Sequence, residues 1–313
     1  MKKLYLLGHP VSHSLSPIMQ NAAIQHYDLD WHYEPKDVTP ENLVATLEEL
    51  EADPDVIGCN VTVPHKVNVF RWCSCQAPGN HDIGTDASRA NAVNTLYRNE
   101  EQFAANSTDF QGALYALLIE GFPGLKDMTN VLSEYDIAIL GTGGTAQTLS
   151  KLLAAHGTSP RSITIFGRNL SKASMLAEAL RPIVIEIHAA SPDRQEFFVE
   201  SSSLSTFPEW NINRKSIVIQ TTTVGMDSGE DPSQSPVPSG SVGKDQIAFD
   251  LVYKPHDTPF LIDAAKNGAT IVHGINMLIG QGALAFQYWA KSSAKLDVDH
   301  FEVAKVMRSA LGV

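Results

Sequence analysis

The apolar run Ile137-Ala-Ile-Leu140 passes directly into Gly141-Thr-Gly-Gly144 and then into an Ala- and Leu-rich segment. That order confines the local chain to a strand, a tight turn and a helix, because glycine takes such a turn without steric cost. The same alternation continues downstream: strand Asp136 to Leu140, helix Thr145 to His156, strand Ser162 to Phe166 and helix Ser171 to Leu180 make one βαβα unit. Apolar runs at Ile183 to Ile187, Ile217 to Ile219 and Ile247 to Leu251 are expected to extend its sheet, and the Ser-, Pro- and Gly-rich stretches Ser201 to Ser205 and Asp227 to Gly243 to be surface loops.

A second alternating series precedes it. Leu4 to Leu7, Trp31 to Glu34 and Val56 to Val61 read as strands. Between them, Ser16-Pro17 opens one helix, and Thr39-Pro40 caps another that carries Leu43, Leu47 and Leu50 on one face. A helix from about Asp109 through Leu114, Leu117 and Leu118 leads from one series to the other. At 313 residues the chain exceeds one comfortable core, so two α/β domains are expected.

Composition removes several function classes. With 23 Lys and Arg against 35 Asp and Glu, the net charge of -12 disfavours a nucleic-acid surface, which needs clustered cations. The N-terminal apolar run stops at Gly8, His9 and Pro10, too short for a signal or a span, so no membrane partner and a cytoplasmic location are expected. Cys59, Cys73 and Cys75 are too few for a disulfide framework, and Cys73-Ser-Cys75 lacks the partners of a zinc site, so no metal is expected.

Chemistry concentrates in a few segments. Gly141, Gly143, Gly144, Thr145 and Ala146 form a turn where backbone N–H groups and a helix N-terminus can receive a pyrophosphate. At the end of the next strand, where an acidic residue would bind ribose hydroxyls, stand Gly167-Arg168-Asn169 and Lys172; their positive charge fits a 2'-phosphate, hence NADP with NAD as the alternative. Asn60-Val-Thr-Val-Pro-His-Lys66, with Ser107-Thr-Asp109, offers an amide, a hydroxyl, an ammonium and a carboxylate at element ends. A partly desolvated Lys66 would exchange a proton with a substrate hydroxyl, and Asp109 would orient it; a surface lysine and a plain helix cap are the competing readings. Ser14 and Ser16, beside free N–H groups at a helix start, can hold a carboxylate or merely cap the helix. Proton chemistry beside a nicotinamide points to an alcohol dehydrogenase or ketone reductase.

Seven motifs occur in one order: Ser14 to Pro17, Asn60 to Lys66, Ala92 to Thr95, Thr108 to Gly112, Gly141 to Ala146, Asp250 to Pro255 and Gly274 to Gln281. In that order they resemble the shikimate dehydrogenase family over nearly the whole chain. The resemblance implies an N-terminal, mainly parallel α/β substrate domain (residues 1–110 and 276–313) and a Rossmann-like, doubly wound NADP domain (residues 111–275). It implies Lys66 and Asp109 as the catalytic pair, and a substrate pocket lined by Ser14, Ser16, Asn60, Thr62, Asn94, Asp109, Tyr253 and Gln281. Cofactor contacts would come from Gly141, Gly143, Gly144, Thr145, Ala146, Arg168, Asn169 and Lys172, with Thr221, Met226, Gly274 and Met277 on the nicotinamide side. The implied activity is NADP-dependent interconversion of 3-dehydroshikimate and shikimate by a monomer or homodimer. A quinate or dual quinate/shikimate dehydrogenase, and a sensor that binds such acids without turnover, are the alternatives.

Departures from the family pattern are local. Gly167-Arg168-Asn169 stands for a frequent Asn-Arg-Thr, Thr221-Thr-Thr for Asn-x-Thr, Ser107-Thr-Asp for Asn-Thr-Asp, and Cys75 to Arg89 is polar where an apolar helix is common.

Overall fold

The computed structural model describes residues 1–75, 81–125, 131–155, 160–190, 197–229 and 231–313. The chain divides into two compact units, residues 1–112 with 278–313, and residues 113–277.

The first unit is built on a five-stranded sheet: β1 (Lys2–Gly8), β2 (Trp31–Asp37), β3 (Val56–Val61), β4 (Thr95–Asn99) and β5 (Gln102–Asn106), in the order β2-β1-β3-β4-β5. The first three strands are parallel, as the alternating pattern requires; β4 and β5 add an antiparallel hairpin to β3. The helices α1 (Ser16–His26), α2 (Leu43–Ala52), α3 (Lys66–Cys75) and α4 (Thr85–Ala90) follow the strands. Pro17 lies in the first turn of α1, where its missing N–H has no helical partner to lose. Thr39-Pro40 opens a short 3₁₀ turn, Pro40–Asn42, and α2 starts only at Leu43. Leu43, Leu47 and Leu50 are buried on one face of α2 and pack with Val56, Val61 and Phe103.

Part of the polar stretch after Cys75 has a structural account. The His81 side chain is buried; its Nε2 lies 2.8 Å from Glu51 Oε1, which also accepts the Phe103 N–H at 2.9 Å. The Ile83 backbone bridges Ala105, tying this segment to β5. Residues 76–80 of that stretch, and His156 at the expected end of the glycine-turn helix, lie outside the described residues.

The second unit carries a six-stranded parallel sheet: β6 (Asp136–Leu140), β7 (Ser162–Gly167), β8 (Phe198–Ser203), β9 (Ser216–Gln220), β10 (Ile247–Asp250) and β11 (Thr270–His273). Its order, β11-β10-β9-β6-β7-β8, is the doubly wound arrangement of two βαβαβ halves, with the reversal between β6 and β9. In sequence, α5 (Asp109–Ala116), which closes in one π turn at Leu117–Gly121, leads into the second unit, whose strands are connected by α6 (Gly144–Ala155), α7 (Leu170–Ala190), α8 (Phe207–Asn211) and α9 (Pro259–Lys266).

Two expectations fail here. Residues 183–187 belong to α7: Ile183, Val184 and Ile187 share a partly buried helical face, while Ile185 is 68% exposed. Alternating isoleucines satisfied a strand pattern that helical packing overrides. An edge strand is instead Phe198–Ser203, which pairs with all of β7 and takes in the first three residues of the Ser201 to Ser205 stretch expected as loop. An edge ladder is held by backbone hydrogen bonds and needs little apolar side-chain surface.

The chain end returns to the first unit through α10 (Gly274–Trp289) and α11 (His300–Leu311), and α11 packs on α1. Gln20 donates to the Gly282 carbonyl at 3.0 Å. Trp289 Nε1 donates to Leu96 O at 2.8 Å, lying over Gly58 of β3. A Cβ at Gly58 would stand 2.3 Å from Trp289 Nε1 and 2.4 Å from Leu96 O. Gly58→Ala is therefore expected to destabilise the first unit by about 3 kcal/mol, from overpacking plus a lost buried indole bond. Thermal unfolding followed by tryptophan fluorescence checks this; an unchanged melting temperature would show that the strand yields freely. Among the described residues, no helix is long and apolar enough to cross a membrane.

Candidate active site

Lys66 is the first residue of α3 and Asp109 the first of α5, so both side chains leave helix starts beside the sheet. The Lys66 ammonium donates to both Asp109 oxygens, at 2.9 and 2.7 Å. Its side chain is 25% exposed and that of Asp109 only 7%, which leaves the amine as the group open to a ligand.

Asp109 is held from behind. Asn94 Nδ2 donates to Asp109 Oδ1 at 2.9 Å and to Thr108 Oγ1 at 2.9 Å, and lies 3.4 Å from Gln281 Oε1. Asn94 Oδ1 accepts from the Thr108 N–H at 2.8 Å and the Thr95 hydroxyl at 2.9 Å. Asn60 Nδ2 donates to Thr95 Oγ1 at 3.3 Å and Asn94 O at 3.2 Å, and its Oδ1 accepts from Tyr33 OH at 3.0 Å. Burial raises the Tyr33 phenol well above the ordinary range, so it stays a neutral donor. A continuous polar chain thus runs from Tyr33 through Asn60, Thr95 and Asn94 to Asp109 and Lys66. Buried polar groups that are fully partnered fix one geometry, because any rearrangement leaves one of them unsatisfied in a low dielectric.

Of the substrate-side residues read from sequence, the structure thus joins Asn60, Asn94, Asp109 and Gln281 to Lys66 through hydrogen bonds. Asn60 directs its amide donors to Asn94 and Thr95 and accepts from Tyr33 with Oδ1, whose second lone pair is left for a ligand hydroxyl. Ser14 Oγ accepts the Ser16 N–H at 3.1 Å, in the manner of a helix-start turn. Thr62 is partly buried, its methyl against Gly8, where a Cβ would meet it at 2.4 Å. Ser107 Oγ is buried with no hydrogen-bond partner among the described residues. From sequence, Thr95 and Thr108 stand only as motif members without a role in the site, and Tyr33 is not singled out. Buried polar side chains on strands, at Tyr33 and Thr95, are the available signal.

The second unit holds the remaining candidates. Gly141, at the end of β6, has φ +124°, and its N–H donates to Phe166 O at 2.8 Å. A Cβ there would lie 2.5 Å from Thr221 Oγ1, which itself donates to Leu140 O at 2.8 Å across the β6/β9 reversal. Gly143 and Gly144 are exposed, and a Cβ on either would meet nothing within 4 Å, so the turn presents open backbone at the start of α6. Thr145 is partly buried and Ala146 fully buried. Such a turn at the strand-order reversal is where an open α/β sheet receives a dinucleotide. Arg168, Asn169 and Lys172 are exposed at the end of β7; Asn169 Oδ1 accepts the Lys172 N–H at 3.1 Å, and Arg168 pairs with no acidic side chain among the described residues. The open turn and this unpaired cation fit a phosphorylated dinucleotide.

Gly274 opens α10 against backbone, with a Cβ only 2.6 Å from Leu251 O. Met226 is partly buried in the loop after β9, and Met277 is buried on α10. Tyr253 is partly buried, and burial raises its phenol. Asp250 of the same motif binds Val252 N at 2.9 Å and Thr258 Oγ1 at 2.6 Å; burial pushes its carboxyl up to about 7. A cavity of about 1080 Å³ lined by Arg214, Lys215, Gln246 and Thr270 lies at the N-terminal ends of β9, β10 and β11, the edge opposite to the glycine turn. Size alone does not make it the reactive site.

Residues 6–96 match the family model for the shikimate dehydrogenase substrate binding domain. A shikimate dehydrogenase (NADP(+)) of Methanopyrus kandleri is 34% identical over 304 residues, 97% of this chain and 95% of that protein. Among solved structures, a shikimate dehydrogenase in complex with NADP+ is 29% identical with a TM-score of 0.78, covering 99% of this chain and 95% of that one. The Thermus thermophilus enzyme with NADP(H) and shikimate is 28% identical with a TM-score of 0.76, covering 99% of this chain and all of that one. Fold, motif order and relatedness along nearly the full length agree: the chain belongs to the shikimate dehydrogenase family.

Proposed function

We propose that this chain is an oxidoreductase acting on a CH–OH group, catalysing the NADP-dependent reversible reduction of 3-dehydroshikimate to shikimate. The observation that carries this reading is the Lys66 ammonium bound by both oxygens of Asp109 at 2.9 and 2.7 Å. NADPH supplies the hydride for the C3 carbonyl. As negative charge grows on the carbonyl oxygen, Lys66 faces it with a positive charge and a transferable proton, so the interaction is stronger in the transition state than in the ground state. Asp109 keeps the ammonium aimed and accepts a substrate hydroxyl; in the oxidative direction Lys66 receives the proton. Asn94, Asn60 and Tyr33 fix Asp109 by the hydrogen bonds described above. Ser14, Ser16, Thr62, Tyr253 and Gln281 complete the recognition of the acid and its hydroxyls.

In this reading the first unit is the substrate domain and the second holds NADP, with Gly141 to Ala146 at the pyrophosphate, Arg168, Asn169 and Lys172 at the adenosine end, and Thr221, Met226, Gly274 and Met277 at the nicotinamide. A monomer or homodimer suffices for the chemistry. A cytoplasmic setting suits three free cysteines, two of which, Cys59 and Cys73, burial pushes up to about 12.

The test is kcat/KM for shikimate and quinate, each with NADP and NAD. Shikimate with NADP is expected to give the highest value. A preference for quinate would transfer the reading to the sister activity, and tight shikimate binding with no change in the nicotinamide absorbance would make the protein a sensor. Arg168→Gln is expected to raise KM for NADP by about ten- to hundredfold, the worth of one charge-assisted hydrogen bond, and to leave KM for NAD alone. Equal effects on both cofactors would remove Arg168 from the 2'-phosphate.

A further inference from the structure

Beyond the reductase chemistry, the second unit carries a group of metal-ligand side chains that the proposed reaction does not use. His256 and Asp257 follow the Asp250 to Pro255 motif, and His273 ends β11. One ligand atom from each lies within 4.8 Å of the others. Asp257 Oδ1 is shared: His273 Nε2 stands 3.2 Å from it and His256 Nδ1 3.3 Å. The two imidazoles stack at 4.1 Å between centroids.

We propose that His256, Asp257 and His273 form a binding site for a divalent transition cation of the zinc class, with water as the fourth ligand. Bonds of about 2.0–2.2 Å to nitrogen and oxygen place neighbouring ligands of a tetrahedral ion roughly 3.3–3.5 Å apart, close to the two separations seen here. They are long for charge-assisted hydrogen bonds, which shorten to about 2.7–2.9 Å.

The support behind His273 points the same way. Glu120 Oε1 lies 3.0 Å from His273 Nδ1, and its Oε2 accepts the His273 N–H at 2.7 Å. A carboxylate on Nδ1 fixes the tautomer that leaves Nε2 as the ligand and raises its basicity, the arrangement found behind metal-bound imidazoles. Exposed His256 and Asp257 give the ion a path from solvent, while His273 and Glu120 supply the rigid half. Binding would fasten the Tyr253 loop to the end of β11. Imidazole and carboxylate donors without thiolate favour Zn²⁺, Ni²⁺ or Cu²⁺ over Ca²⁺ or Mg²⁺.

The experiment is equilibrium titration of the full-length, tag-free protein with Zn²⁺, with Co²⁺ absorption as a geometric readout. Wild type is expected to take up one equivalent and to melt at a higher temperature with the ion. His256→Ala, at an exposed position, should abolish that equivalent while the protein stays folded, and Glu120→Gln should weaken it by about 10- to 100-fold. Uptake of the same equivalent by His256→Ala, or no stoichiometric uptake by wild type, overturns the proposal and leaves the cluster an ion-pair network.

Discussion

Lys66→Ala is expected to lower kcat for shikimate oxidation by roughly two to four decades, the range for a lost general acid or base, with a much smaller change in KM. The amine is the partly exposed member of its pair, so its removal opens space that water can enter but not a group that holds and returns the proton. Neither the Asn94 contact to Asp109 nor the Val93 N–H bond to the Lys66 carbonyl needs the deleted side chain, so the local frame should survive. Lys66→Arg separates charge from proton transfer. A guanidinium keeps the ion pair with Asp109 yet stays protonated in any protein setting, so its turnover should also fall steeply. Near wild-type turnover in the arginine variant would reduce Lys66 to an electrostatic role.

Asp109→Asn is expected to be comparably severe, with a different signature. The carboxylate accepts two hydrogen bonds from Lys66 and one from the Asn94 amide, all at 2.9 Å or less. An amide in its place must point its own N–H₂ at one of those donors and leaves the ammonium without a countercharge. Breaking such a pair from one side costs more than the pair contributes, because the remaining charge is left where water reaches it poorly. We expect kcat to fall by about two decades or more, as for a misplaced proton-transfer group, and KM for shikimate to rise about tenfold for the lost hydroxyl acceptor. Steady-state kinetics in both directions distinguish the two signatures. A rise in KM with kcat intact would make Asp109 a binding residue alone.

How far the letters carried depended on whether a residue's role was local. The strand into Gly141, the helix after it and the three parallel N-terminal strands follow from apolar period and glycine position, and they stand close to where the pattern places them. The β4–β5 hairpin and the edge strand β8 were not legible, since Thr95–Asn99 and Phe198–Ser203 owe their strand state to a neighbouring ladder rather than to their own pattern. Residues 183–187 misled for the opposite reason, carrying a strand pattern within a 21-residue helix. At the site, Lys66 and Asp109 stood out by residue type and flanking turns. Tyr33 and Thr95 did not, because a support is defined by what it touches, and Tyr33 reaches Asn60 across 27 residues of chain. Asn60 shows the same limit. Its amide is conspicuous in sequence, but only coordinates reveal that its N–H₂ is committed to Asn94 and Thr95.

The most direct test of the Lys66–Asp109 pair is a double-mutant cycle read by NADPH formation from shikimate, with wild type, Lys66→Ala, Asp109→Asn and the double variant. Groups that act as one unit lose their function together, so the double variant should turn over no more slowly than the worse single variant. Losses that multiply would show two independent contributions, and single variants turning over at the wild-type rate would place proton transfer elsewhere in the protein.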